Sequence, residues 1–423
     1  MSFLLRPADL PDNFTRSLYK IAPYRGCAHG CRYCDGRAER YYVEGDFERD
    51  IVTRETIPNG LLEDLPKVRE SGMVAFGSGT TDPYQPCEAR LGITGACAQT
   101  LADNCIYKQS EGRPPVSLPS GRQFTFDVSE TAEADFLPRL SALAMTKSLL
   151  ALRDIEYWGH VNEQAGFVLL VSLTSLDEGL REIMEPGASA FSERIELLRA
   201  YKSAGCTVGI LAMPLLPGLS DSLESIQKLY AAAKEIGVDF VMPGGLTLRP
   251  GRQKELFLMT LRKAHPELLA TVDAIYFENR DSGAPTRAAQ EALTKKLTPI
   301  RRESGLPWLL PYGVIRRMLP PHDAIRVLFR DMLELYAEQK VPTAELRQSA
   351  DRYDAWLVEQ RRFFRRHRKT SSAWLQNRLP RALASGELTS ILDNSKLSRF
   401  VHTIVAEGAS FNYTTLRLET PPT

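Results

Sequence analysis

The chain has no long hydrophobic run. Apolar residues make up 43% of its 423 positions, yet they never gather into the ~20-residue stretch that a membrane-crossing helix needs. No secretory leader is read either: the first residues, MSFLLRPADLPDNF, hold a short apolar patch with acids close behind. Strong charge of one sign is also missing. With 53 Lys and Arg against 52 Asp and Glu, the formal net charge is +1, so no global field draws the protein to nucleic acid, although a local basic face is not excluded. Cysteine is sparse and odd in number, at seven, which argues against a disulfide framework and for a reduced, cytoplasmic setting.

What is present is concentrated. Cys27, Cys31 and Cys34 share one short loop in a Cys-x3-Cys-x2-Cys pattern, with Tyr33 just before the last. Three thiolates can ligate three irons of a [4Fe–4S] cube and leave the fourth without a protein ligand, whereas electron-transfer ferredoxins close the cluster with four. An open iron can bind and activate a ligand. A second reading is structural zinc, with His29 as a fourth ligand, but no second Cys-x2-Cys or His pair follows at finger-like spacing.

Short apolar or β-branched runs alternate with helical stretches, the pattern of repeated βα units around a parallel sheet. Strands are expected at Leu18–Ala22, Met73–Phe76, Ala142–Met145, Phe167–Leu173, Thr207–Met213 and Asp239–Met242. Helices are expected at Pro58–Glu70, Lys147–Glu163, Ser189–Ser203 and Ser222–Ile236. Six such units predict a partial (β/α)6 barrel of the TIM type over residues 1–250, with functional groups at the C-terminal ends of its strands. The cysteine loop follows the first. Residues 251–423 read as a helical C-terminal extension: Lys254–His265, Thr286–Leu297, Ala324–Glu338, Thr343–Arg368, Ala373–Ala384 and Thr389–Glu407.

The cysteine motif with its aromatic neighbour resembles the signature of radical S-adenosylmethionine (SAM) enzymes. Pro23 to Cys27, Thr81 to Pro86, Thr146 to Ser148 and Val171 to Thr174 resemble one branch, the spore photoproduct lyase-like group often described as DNA repair photolyases. The resemblance spans roughly residues 17 to 250. It implies the same partial barrel, a [4Fe–4S] cluster on Cys27, Cys31 and Cys34, and SAM bound at the open iron. It further implies an external electron donor of flavodoxin or ferredoxin type, and reductive cleavage of SAM to a 5′-deoxyadenosyl radical that abstracts hydrogen. Damaged DNA is the substrate by analogy, with RNA, protein or a small molecule as alternatives. A zinc-stabilised nucleic-acid-binding module is the alternative of another class.

The strand ends supply the remaining candidates. Tyr33 is expected near the adenine, Lys147 on the methionyl carboxylate and Ser172 on a ribose hydroxyl. Thr81 and Asp82 offer a hydroxyl and a carboxylate to a polar or cationic partner, although a βα turn with a capping Asp accounts for them equally. The apolar strand and turn through Val208 to Gly218 could back the adenine, with core packing as the plainer account.

Departures from the branch matter. Threonine occupies the stretch before Asp82 where spore photoproduct lyase has the cysteine that returns hydrogen, and an O–H bond is far too strong for that task. Cys87 and Tyr84 are the substitute donors to consider. Asp35 follows the last cluster cysteine where many relatives carry an aromatic. An insertion, Tyr107 to Phe136, reads as a surface hairpin with a strand after Gly121, or as a partner-docking element. Cys97 and Cys105, eight apart, could share a helix face and an auxiliary cluster. The densest basic run, Arg361 to Lys369 with Phe363 and Phe364 inside it, offers phosphate contacts to nucleic acid or a solvated, ion-paired helix face.

Overall fold

The computed structural model describes residues 4–41, 45–77, 80–104 and 138–420, together with the backbone of residues 116–117 and 123–124. Six strands form one sheet: β1 (Tyr19–Ile21), β2 (Gly72–Phe76), β3 (Leu140–Thr146), β4 (Phe167–Ser172), β5 (Thr207–Leu215) and β6 (Phe240–Gly245). Their spatial order is their chain order and every pairing is parallel. That is the partial barrel expected from the alternation, with each strand found where the apolar runs placed it.

The strands read as continuous apolar runs because both faces are buried, and each face has its own core. Val74, Phe76, Ala142, Ala144, Leu169, Val171, Val208 and Ile210 point outward. They meet helices α1 (Ile57–Asp64), α2 (Ile93–Asn104), α3 (Ile155–Gln164), α4 (Phe191–Ser203), α5 (Leu223–Ile236) and α6 (Arg287–Ser304). Helix α5 illustrates the local logic. The Ser222 side chain accepts from Ser225 N at the start, Gly237 at φ 75° ends it, and Ile226, Leu229, Tyr230, Ala233 and Ile236 form one buried stripe.

The alternate side chains, Met73, Leu143, Met145, Val168, Leu170, Phe240 and Met242, face the other way. They pack on α7 (Tyr312–Met318), α8 (Pro321–Glu338) and the helices beyond, among them α9 (Ala344–Arg366). The C-terminal extension thus lines the concave face of the sheet, and the composition change near residue 250 is not a gap in packing. Ala373–Ala384 and Thr389–Glu407, expected as single helices, are each broken in two, and a short hairpin (Ser410–Asn412, Arg417–Glu419) follows. Those strands are too short to leave a periodic signal.

The basic run is corrected by its packing. Arg361 is 0% exposed; its Nε lies 3.0 Å from Glu70 Oε2, its Nη2 2.6 Å from Asp323 Oδ2 and its Nη1 3.1 Å from Asp9 O. Arg365 pairs with Glu70 and Asp9, and Phe364 is buried under the Arg69 guanidinium. These residues clamp α9 to the N-terminal segment, so they are not free for phosphates. Arg362, Arg366, Arg368 and Lys369 remain exposed.

Most of the insertion, and Cys105, lie outside the described residues. Its backbone pairs Val116 with Phe124 and Ser117 with Gln123 in antiparallel register, within the expected hairpin. Cys97 is buried on α2. Among the described residues no helix is long and apolar enough to cross a membrane.

His322 gives this core a pH dependence. It is 1% exposed, neither ring nitrogen has a hydrogen-bond partner, and Asp323 Oδ2 is 3.7 Å away. Burial holds its pKa down at about 4, the Asp323 charge offsetting only part of that cost. Below the unfolded value of ~6.5 the unfolded chain takes up a proton that the folded chain refuses, so stability falls as pH drops from ~6.5 to ~4, by about 3 kcal/mol. Urea unfolding at a series of pH values is expected to show this loss in the wild type and to lack it in His322→Gln.

Candidate active site

The three cysteines stand on the loop that leaves β1, turned by two glycines. Gly26 has φ 81° and Gly30 φ 65°. A Cβ on Gly26 would lie 2.9 Å from Phe47 O, so only glycine fits the turn. The loop is anchored throughout its length. Cys27 N donates to Phe47 O (2.9 Å), Ala28 N to Gln85 Oε1 (2.8 Å), Arg32 N to Met184 O (2.8 Å) and Arg37 Nε to Cys31 O (3.0 Å). Gly26 O accepts from Thr81 Oγ1 at 2.7 Å and Gln85 Nε2 at 3.2 Å.

Asp82 fastens the loop to the sheet. Its Oδ1 accepts from Thr146 Oγ1 (2.8 Å) and Tyr84 N (2.8 Å); its Oδ2 accepts from Lys147 N (2.8 Å) and lies 3.1 Å from His29 Nε2. Burial opposes its ionisation, yet the adjacent His29 and these hydrogen bonds hold its pKa below the usual carboxylate value. His29 Nδ1 meets Gly187 O at 2.8 Å. Nδ1 is therefore engaged by the backbone, while Nε2 is buried beside the Asp82 carboxylate without an aligned hydrogen bond, so a zinc ion drawing on His29 would have to compete with that carboxylate.

A cavity of about 330 Å3 opens at the C-terminal ends of the strands, within the size range of small-molecule sites. Cys27, Cys31 and Cys34 form one wall, with Tyr33, Asp35, Thr81, Asp82, Lys147 and Ser172 around them. Met145, Leu211, Met213, Pro214 and Leu246 give it an apolar floor. Eight of the ten candidate site residues are thus brought together.

Tyr84 and Cys87 are not, and this corrects them as hydrogen donors. Tyr84 is 0% exposed in the outer core, where its hydroxyl accepts from Trp158 Nε1 at 2.7 Å. Cys87 precedes the short helix Glu88–Leu91 and packs against the same outer core. Both follow the strand end onto the helix-facing side of the sheet. Ser78 and Gly79 lie outside the described residues. Gly77 has φ 83° and a Cβ there would meet Pro83 Cδ at 2.7 Å, so it serves the turn.

Glu185 escaped notice because no motif marks it. It is 1% exposed at the end of the helix Glu178–Met184. Its carboxylate receives the Tyr33 hydroxyl and Arg194 Nη2, and lies 3.3 Å from Lys147 Nζ. Burial opposes the charge, but Arg194, Lys147 and Tyr33 bring its pKa down to about 2. Lys147 also sits 5.6 Å from the Tyr33 ring centre. Asp35 pairs with Arg249 Nε at 2.6 Å, tying the loop to the segment after β6; its polarity is matched by a partner.

The donor chemistry suits a thiolate-bound cluster. Burial is the first cause that pushes all three thiols up, Cys31 to about 12, and Cys27 feels the other two as like charges. Such a trio ionises only when positive charge is supplied beside it, as a metal centre does. Among the described residues no group of three or more His, Cys, Asp or Glu is arranged to hold a single metal ion. A cube differs in that it spreads its thiolates over separate irons.

No family model matches the chain. Uncharacterized proteins of Mycobacterium bovis and Mycobacterium tuberculosis are 29% identical over 264 residues, 61% of this chain and 67% of theirs. One of Acidianus two-tailed virus is 26% identical over 229 residues, 51% of this chain and 63% of that protein. The match thus spans about two thirds of the length of the curated relatives. Similar solved structures include spore photoproduct lyase complexed with dinucleoside spore photoproduct, at TM-score 0.48 and 13% identity over 71% of this chain and 76% of that one. Another is Streptococcus suis SuiB bound to precursor peptide SuiA, at TM-score 0.36 and 14% identity over 61% of this chain and 46% of that one.

Replacing Glu185 by Gln leaves Arg194, itself 0% exposed, without a counter-charge. The expected cost is about 3–5 kcal/mol, read as a lower urea midpoint with an unchanged m-value.

Proposed function

We propose that this chain is a radical SAM enzyme, with a [4Fe–4S] cluster held by Cys27, Cys31 and Cys34. One observation carries the reading: three thiols from one loop, two buried and one half-buried, wall a small-molecule cavity at the C-terminal ends of parallel strands, and His29 on the same loop has Nδ1 on Gly187 O and Nε2 against Asp82. When bound, the cluster supplies one electron and SAM the carbon-centred radical that takes a hydrogen atom, the electron coming from an external donor of flavodoxin or ferredoxin type.

The protein's part is positioning and exclusion of water. Lys147, held over Tyr33 and against Glu185, offers its ammonium to the methionyl carboxylate. Tyr33 faces the adenine, with Met213, Pro214 and Leu246 as apolar backing. Ser172 offers a hydroxyl to the ribose. Thr81 and Asp82 act through the loop: their polar atoms are spent on Gly26, His29, Thr146 and Lys147. They hold the cysteines in place and do not grip the ligand.

The substrate we favour is a DNA photolesion, on the motif resemblance. Among the described residues, the only thiols lining the cavity are the three assigned to the cluster, so hydrogen must return to a repaired base from another source. Modification of RNA, a protein or a small molecule is the second reading.

The test is anaerobic reconstitution followed by metal analysis and incubation with SAM and dithionite, with and without a spore-photoproduct oligonucleotide. We expect about four irons with matching sulfide, a brown chromophore, and 5′-deoxyadenosine formation. Cys31→Ala is expected to lose both colour and SAM cleavage; retention of either overturns the assignment. One zinc and no cleavage would point to the binding module. Cleavage without restored thymine would move the search to another substrate.

A further inference from the structure

One aromatic at the cavity mouth has no part in the cofactor reading. Phe14 lines the cavity and is 40% exposed. A single exposed phenylalanine is ordinary on a protein surface; this one stands on a hydrogen-bonded turn and lines the cavity that holds the cysteines.

It stands on a tight turn before β1. Asp12 Oδ1 accepts from Phe14 N at 2.9 Å and Thr15 N at 2.8 Å, while Asp12 N donates to Ser17 O at 2.8 Å and Arg16 N to Asp12 O at 2.9 Å. Arg16 sits at φ 59°, a left-handed conformation that non-glycine residues seldom adopt. Its side chain is buried, donating to Asn13 O and to Asp331, whose other oxygen accepts from Tyr413 Oη at 2.6 Å. The turn is therefore fixed from both ends, by the Asp12 carboxylate and by an ion pair reaching into α8.

We infer that Phe14 is a stacking platform for a flat, unsaturated ring of the substrate entering the cavity. The inference rests on the proposed function, which supplies a nucleobase as the ring. Tyr33 lies deep, at 5% exposure beside the cysteines, and is placed for the adenine of SAM. Phe14 lies at the entrance, where the second ring must pass.

The probe is the unmodified dinucleotide thymidylyl-thymidine, with its Kd measured by equilibrium dialysis on reconstituted full-length protein in the presence of SAM. Phe14→Ala is expected to weaken binding roughly 5- to 150-fold, the range of one base–aromatic stack. Phe14→Tyr and Phe14→Trp should stay near wild type, and SAM affinity should not move. Equal binding by Phe14→Leu and Phe14→Tyr would reduce the contact to plain apolar burial and overturn stacking. So would an unchanged Kd in Phe14→Ala, a loss that falls on SAM instead, or no binding by the wild type at millimolar dinucleotide. SAM cleavage in the same preparations separates the two failures. If the wild type cleaves SAM but Phe14 does not matter, only this inference falls; if it does not cleave SAM, the proposed function falls with it.

Discussion

A single buried carboxylate, that of Asp82, joins everything on which the site depends. It stands where β2 has ended and gathers the end of β3, through Thr146 and Lys147, and the cysteine loop, through His29. A buried carboxylate is tolerated only when its lone pairs are filled. That requirement ties the loop to the strand ends, since moving either would leave the buried charge unpaired. The second carboxylate, Glu185, repeats the device on the far side: burial raises the cost of its charge, and Tyr33, Lys147 and Arg194 meet that cost while being oriented by it. The cysteines thus sit between two electrostatic knots, each satisfied from inside the protein.

The sheet that carries these knots has no solvent-facing side. Its outer face is covered by the helices that connect its strands, and its concave face by helices from the C-terminal third of the chain. The clamp at Arg361 binds the two regions together, taking Glu70 from the segment before β2, Asp323 from α8 and Asp9 from the N-terminal stretch. That N-terminal stretch also carries Phe14 to the cavity mouth. Residues far apart in the chain therefore set the shape of the cavity entrance, although the candidate site residues lie between positions 27 and 172.

Much of this was legible beforehand for definite reasons. Parallel strands buried on both faces appear as unbroken apolar runs, and connecting helices as stripes ending in glycine or serine, so all six strands and the four connecting helices named from the pattern fell where expected, although the stretch expected from Lys147 begins as a 3-10 helix over Leu149–Asp154 before α3. The cysteine loop was legible because three cysteines at fixed short spacing stand out in a chain with only seven. Lys147 and Ser172 line the cavity because strand ends point to one face in any βα barrel. Tyr84 and Cys87 were misplaced because proximity in sequence says nothing about which side of the sheet a turn delivers a side chain to. For the basic run the ion-paired alternative holds at Arg361 and Arg365, because a helix presents its residues all round and only the neighbours decide which arginines are buried.

The sequence by itself determined the strand and helix periodicity, the order of the βα units and the three-thiol loop, since these rest on residue type and short-range spacing. Tertiary structure alone decided which carboxylates become hubs, that His29 lies against Asp82, that the C-terminal helices line the concave face, that Glu185 backs Tyr33 and Lys147, and that Phe14 reaches the cavity. The reason is physical. Charge satisfaction and burial are properties of groups brought together across long separations in the chain, and no local pattern records which partner a buried charge will meet.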